Sequence, residues 1–348
     1  MTWHVVPWGG EVAGVRSARV EFPERRGLLV VLREDDVSGY GEATPLPGFG
    51  DDDLQRATAE LDGPLPTPAD RPGAVLAKVA RFRSPSARFA VECALLDHLA
   101  RRRGVALHEL FRADARPVLR SVLVGELGAA GTLERAQEAA ERGARVLKLK
   151  ATGRNLQHDR AALVTLRSAL GDCVRLRLDL NGCLTPDEAG AALAVYGSCD
   201  IELVEEPTSA DALSSLGPGS VPWFADESAI DAARFEALLA HDPCAGFVLK
   251  PTALGGFFAA LERTQLARQA KKRVIVSHAF DGPVALAAAA ELSLVIGGEE
   301  AHGLDVHAAL TAFPRVTIPR LGERGSPLAV GVHPAPGLGF ELEGRWLA

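Results

Sequence analysis

The chain has too little of several things to belong to several large classes of protein. Its five cysteines, Cys93, Cys173, Cys183, Cys199 and Cys244, are odd in number and form no Cys-x-x-Cys pair. That argues against a disulfide framework and for reduced thiols in a cytoplasmic protein. No apolar run is long enough to cross a membrane, and Met1 to Gly10 has no basic region followed by an apolar one, so neither a spanning helix nor a signal peptide is expected. An excess of positive charge is missing too. A net charge of -7 without a dense basic stripe argues against nucleic acid as a partner and leaves small-molecule chemistry. A strict glycine-rich phosphate loop is absent, and Leu254-Gly255-Gly256 reads as a turn rather than an anion cradle.

What is present is an ordinary globular composition, 47% hydrophobic and 24% charged, on 348 residues. That length suggests a large barrel plus a smaller unit. In the first third, Gly27 to Leu32 and Gly39 to Ala43 read as strands of a three-stranded antiparallel meander turning at Asp35 to Ser38. Pro45 to Gly50 breaks all periodicity and makes a candidate lid, and Asp51 to Asp53 are placed to cap a helix. Pro64 to Pro72 should be irregular, whereas Ser86 to Arg102 carries helix-spaced apolar residues. A boundary falls at Pro117, giving a small α+β domain over 1–116, completed by 315–348, and a second domain over 117–314.

Within the second domain, Val146-Leu147-Lys148-Leu149-Lys150 places two lysines on one face of a strand and two leucines on the other. Arg175-Leu176-Arg177-Leu178-Asp179 repeats the pattern, so two neighbouring strands aim charge at one space, which an apolar interior tolerates only near counter-charge, water or a metal. Strands are expected at Val118 to Val124, Val146 to Lys150, Val174 to Asp179, Ile201 to Glu205, Val221 to Asp226, Gly246 to Lys250, Val274 to Ser277 and, more weakly, Ser293 to Ile296. Their spacing of roughly 20 to 30 residues predicts a parallel (β/α) barrel, in which functional groups sit at the C-terminal strand ends. Lys150, Asp179, Glu205, Asp226, Lys250 and Ser277 lie there. Three carboxylates from consecutive strands form a cup for a hard divalent cation, Mg2+ best of all, and the absence of histidine or cysteine from the cup argues against zinc. Periodicity does not choose between Glu205 and Glu206. His278, next to Ser277, reads as a packed loop or core histidine.

Lys148-x-Lys150, Asp179-x-Asn181, Glu205-Glu206-Pro207, Asp226-Glu227-Ser228 and Lys250-Pro251, in this order, resemble the enolase superfamily, muconate-lactonizing-enzyme subgroup. Gly39 to Pro45 and Phe89 to Asp97 resemble segments of that family's capping domain. The resemblance implies a (β/α)7β TIM-type barrel under an α+β capping domain. It makes Asp179, Glu205 and Asp226 the ligands of Mg2+, or Mn2+, and Lys150 and Lys250 the acid/base pair. Lys148, Arg177, Asn181, Glu227 and Ser277 are then expected to support the site or bind substrate.

Within the subgroup the chain resembles the o-succinylbenzoate synthase branch in its short length, Glu206, Arg177 and Gly303-Leu304-Asp305. Gly297-Gly298-Glu299-Glu300 stands where dipeptide epimerases carry Asp-x-Asp. A cytoplasmic lyase acting on a small carboxylate is implied, favoured as a monomer. An N-succinylamino acid racemase or another racemase or epimerase of the superfamily is the alternative, and a Schiff-base aldolase using Lys250 a remoter one.

Overall fold

The computed structural model describes residues 1–16, 20–321 and 329–343. Positions 322–328 and 344–348 of the expected C-terminal completion lie outside the described residues. Strands β1 (Thr2–Glu11), β2 (Glu24–Glu34) and β3 (Val37–Ala43) form the expected meander, with the β2–β3 turn at Asp35 and Asp36. Helix α1 (Leu54–Leu61) is capped by the Asp53 carboxylate, which accepts the Arg56 N–H, and α2 is Pro72–Val79. Helix α3 (Pro85–Arg103) starts on a Ser84 cap with Pro85 in its first turn and stops at Gly104 in the left-handed region. It crosses β3 so closely that a Cβ on Gly41 would lie 1.8 Å from the Ala90 carbonyl oxygen, which explains the alternating glycines at 39 and 41.

Strand–helix alternation then builds a curled, seven-stranded parallel sheet. The first expected strand is split. Its start, β4 (Val118–Leu119), pairs antiparallel with a C-terminal strand, and the sheet itself begins at β5 (Val122–Glu126). There follow β6 (Val146–Lys150), β7 (Arg175–Asp179), β8 (Ile201–Glu205), β9 (Trp223–Ala225), β10 (Cys244–Leu249) and β11 (Arg273–Val276), in the unbroken order β11 to β5. The partner of β4 is β12 (Ala329–Val330). Covering helices are α4 (Thr132–Glu141), α5 (Leu156–Leu170), α6 (Pro186–Gly197), α7 (Ala232–Leu239), the short α8 (Pro251–Leu254), α9 (Phe257–Gln269) and α10 (Pro283–Ile296). Leu147, Leu149, Leu176 and Leu178 pack in one core with Leu163, Leu166 and Leu193 of these helices, as the strand alternation requires. On the other face Leu203, Phe224, Val248 and Ile275 form a separate apolar layer. No helix of the described residues is long and apolar enough to cross a membrane.

The expected eighth strand, Ser293 to Ile296, is instead the last turn of α10. Pro283 in the first turn and the alanine-rich run after it favour helix, and a short apolar run viewed alone does not distinguish a buried helix from a strand. The place beyond β11 is taken by residues 302–303. His302 bridges Arg120, two residues before β5, and Gly303 bridges Ser277, one residue past β11, both in parallel sense.

Two buried carboxylates join the meander unit to the helices around the sheet. Glu42 accepts the N–H groups of Gly282, Val284 and Ala285 at 2.6, 3.0 and 3.2 Å, capping α10, and Glu92 of α3 accepts the Phe258 N–H at 3.1 Å at the start of α9. Gly256 is therefore part of a turn whose helix end is already occupied by a buried side-chain carboxyl group, and a Cβ there would lie 2.5 Å from the Glu92 carboxyl group.

Candidate active site

Strand ends β6 to β10 bring the polar termini together. Oxygens of Asp179, Glu205 and Asp226, all buried, lie within 4.8 Å of one another. Lys148 Nζ stands 2.9 Å from Asp179 and also donates to Glu205. Lys250 Nζ stands 2.6 Å from Asp226. Lys150 and Lys250 rise from strands four places apart in the sheet and line one cavity. The structure also separates the two consecutive glutamates. Glu206 adopts φ +40, and its carboxylate accepts the Asp226 N–H at 2.6 Å, the Ser228 N–H at 3.2 Å and the Ser228 hydroxyl. A left-handed glutamate costs of order 1–3 kcal/mol, which these bonds offset. Glu205 alone of the pair joins the cup.

Fit to a cation follows from the donor set. Three carboxylates in one buried space face Lys148 and Lys250, which leaves one negative charge uncompensated among these five groups. Burial, with Lys148 opposing it and Asp179 and Asp226 adding repulsion, raises the Glu205 pKa above its ordinary value. An all-oxygen set of this kind suits a hard divalent ion.

The two lysines differ. Burial lowers the Lys150 pKa from 10.5 to about 8, with Asp179 opposing and Lys148 and Lys250 adding to the fall. Repulsion from Lys148, expected from the sequence, is thus present but smaller than desolvation. Desolvation comes from an apolar roof. Val15, Phe22 and Leu46 of the meander unit cluster with Ala279, and Phe49 and Phe280 pack onto them. Lys150 Nζ lies 5.1 Å from the Phe280 ring centroid and donates to the Arg16 carbonyl, while Lys250 Nζ lies 4.1 Å from the Phe49 ring. For Lys250 burial opposes the charge, yet Asp226 and Glu227 prevail and its pKa is raised. Lys148 is raised as well, Asp179 and Glu205 overcoming burial.

Other expected residues fall into place unevenly. Asn181 donates to Glu227 at 3.0 Å, and both line the cavity, as do Ser277 and the lid residues Leu46 and Phe49. The Ser277 hydroxyl, however, donates to the Gly303 carbonyl at 3.1 Å and ties β11 to the segment beyond it. Arg177 does not reach the cavity. Two residues before the strand end puts it roughly 6.6 Å lower, where its guanidinium binds Glu202 at 2.6 Å, the Ala301 carbonyl at 2.6 Å and Glu300 at 3.4 Å. Its partners are not the cup carboxylates. His278, expected to be packed, lines the cavity. Its position one residue past the end of the expected strand, Val274 to Ser277, was the available signal. Arg25, which braces the loops above the cavity, had none, since its partners are backbone carbonyls 19 to 255 residues away.

Comparison with known proteins agrees with this arrangement. Residues 131–346 match the family model for the Enolase C-terminal domain-like proteins, and residues 12–98 match that for the MenC N-terminal domain. The chain belongs to the enolase superfamily. Its relatives put it in the muconate-lactonizing-enzyme subgroup. Muconate cycloisomerase 1-2 of Acinetobacter lwoffii is 30% identical over 335 residues, covering 91% of this chain and 86% of that protein. An o-succinylbenzoate synthase of Enterobacter sp. (strain 638) is 26% identical over 310 residues, covering 84% and 86%. The solved muconate lactonizing enzyme from Pseudomonas putida shares the fold with a TM-score of 0.83 at 23% identity, covering 99% of this chain and 98% of that one.

Proposed function

We propose that this protein is an o-succinylbenzoate synthase, a lyase of menaquinone biosynthesis that removes water from 2-succinyl-6-hydroxy-2,4-cyclohexadiene-1-carboxylate. The observation that carries the chemistry is the pair of lysines four strands apart beside a buried carboxylate triad. The choice of reaction is supported by the MenC N-terminal domain match over residues 12–98. In this reading the sheet and segment 302–303 make up a (β/α)7β barrel over 117–314, capped by 1–116 together with 315–348. Pairing of β4 with β12, and the Leu338 N–H donated to Asp97 at 2.7 Å, support that division. Five free cysteines fit a cytoplasmic location.

Asp179, Glu205 and Asp226 would hold Mg2+, with Mn2+ as a substitute. When bound, the ion supplies positive charge beside the substrate carboxylate, which makes the neighbouring C–H removable near neutral pH. Lys150, neutral in a useful fraction because it is buried, takes that proton. It then gives a proton to the departing hydroxyl on the same face, the C–O bond breaks, water leaves and the ring becomes aromatic. Lys250, held charged by Asp226 and Glu227, acts as a fixed cation on the opposite face. Lys148 holds Asp179 and Glu205 in place, and Asn181 and Glu227 brace the rim.

Racemisation of an N-succinylamino acid is the second reading, favoured by the fact that both lysines line the cavity. Purified protein with Mg2+, offered both substrates, tests the choice. The expected result is ultraviolet absorbance of an aromatic product from the cyclohexadiene acid. Loss of optical rotation from the amino acid without any aromatic product would contradict it.

A further inference from the structure

Four polar residues that line the cavity, Ser121, Ser277, His278 and Asp305, are left unused by the dehydration. The His278 ring lines the cavity beside Lys150 and Lys250, and its Nδ1 accepts the Phe280 N–H at 3.1 Å. A ring nitrogen that accepts carries no proton, so the neutral imidazole bears its hydrogen on Nε2. Among the described residues no hydrogen-bond partner meets Nε2.

The ring is fixed in place. It stacks on His307 with centroids 4.1 Å apart and planes 27° apart, and Phe280 packs against it at 5.8 Å. The turn that carries it is braced from two sides. Phe280 adopts φ +53, a costly geometry for an aromatic residue. Asp281 accepts the Ala279 N–H at 3.2 Å. The buried Arg25 guanidinium donates to the Phe280 carbonyl at 3.0 Å and the Ala279 carbonyl at 3.4 Å, while also holding the Thr44 and Pro45 carbonyls at the root of the lid. Burial, with His307, Lys250 and Lys148 adding repulsion, pushes the His278 pKa well below its ordinary value. Ser277 does not fill the same role, because its proton is committed to Gly303.

We propose that His278 is a specificity-determining residue, a neutral imidazole whose Nε2–H donates to an oxygen on the succinyl arm of the substrate, remote from the carboxylate at the acidic cup. The identity of the arm rests on the reaction proposed above; the donor itself does not. In a cavity that already gathers three lysines, a neutral donor adds direction without a fourth positive charge.

Long-range proton–nitrogen spectra of the full-length protein labelled with 15N-histidine report the tautomer without substrate, with His278 assigned by the signals lost in His278→Gln. The expected pattern at pH 7 is an unprotonated Nδ1 and a protonated Nε2. Adding Mg2+ and o-succinylbenzoate should move the Nε2–H signal downfield, whereas Mg2+ and benzoate, which lacks the arm, should leave it in place. The Nδ1–H tautomer, an imidazolium, an equal shift with both ligands or no shift with either overturns the proposal. By calorimetry, His278→Phe should weaken o-succinylbenzoate by about 10- to 100-fold and benzoate by less than about twofold. His278→Gln, whose amide N–H reaches the position of Nε2, should restore most of that loss. Equal weakening of both ligands would also overturn it. If the tautomer and the arm-dependent shift are found but no aromatic product ever forms, the reaction is wrong and the donor stands. If product forms and the tautomer is reversed, the donor is wrong and the reaction stands.

Discussion

Raising the pH through the titration of Lys150 should raise the rate, because only a neutral amine takes a proton. Burial brings its pKa from 10.5 to about 8. At pH 7 a lysine of pKa 8 is neutral in about one molecule in ten, against about three in ten thousand at 10.5, so the lowered pKa provides roughly 300-fold more reactive base. A divalent cation in the cup adds positive charge nearby and moves the titration further down. The assay is kcat/KM for dehydration from about pH 5.5 to about pH 10 with saturating Mg2+ at every point. It should rise about tenfold per unit on the acid side and level off at or below about pH 8. A limb centred above about pH 9 would refute the reasoning, since Lys150 would then behave as a solvated lysine.

Chelation should abolish activity, with Mg2+ or Mn2+ restoring it and Zn2+ restoring little, given oxygen-only ligands; undiminished turnover after exhaustive chelation would contradict the cup assignment. Glu42→Ala strips the acceptor from three N–H groups at the start of α10 and should cost about 2–4 kcal/mol in denaturant unfolding. Burial, the largest influence on Glu42, raises its folded pKa from 4.5 to about 7, so the folded chain holds a proton that the unfolded chain has released. Stability from this group therefore falls as pH rises between about 4.5 and 7, and the Tm of the wild type relative to Glu42→Gln should drop from pH 5 to pH 7.5. A difference that stays constant or grows would show that Glu42 is ionised throughout.

Much of this site was legible because its residues obey a local rule. Lys148 and Lys150 alternate with leucines, and Asp179 and Glu205 close their strands with Asp226 one residue past β9, so period and position alone bring them together. The same rule misplaced Arg177, since it assigns a face but not a depth, and at its depth Glu202 and Glu300 wait instead of substrate. Periodicity was silent between Glu205 and Glu206, because a left-handed turn, not alternation, sends the second carboxylate behind the strand ends. The eighth sheet position was missed for a different reason. Residues 302–303 make single bridges rather than a strand, while the more strand-like Ser293 to Ile296 completes a helix. Arg25 and Glu42 act on backbone atoms far away in sequence, and nothing local announces such a role.

The division of labour between the two lysines is the centre of this account, and one paired measurement reaches it most directly. Lys150→Arg and Lys250→Arg both keep a positive charge and both remove an accessible neutral form. With saturating Mg2+ and the cyclohexadiene acid as substrate, Lys250→Arg should retain measurable dehydration provided the bulkier group fits beside Asp226, because a fixed cation is all that position supplies. Lys150→Arg should lose nearly all of it. Both variants equally inactive, together with wild-type exchange of the substrate proton from both faces in heavy water, would contradict the account.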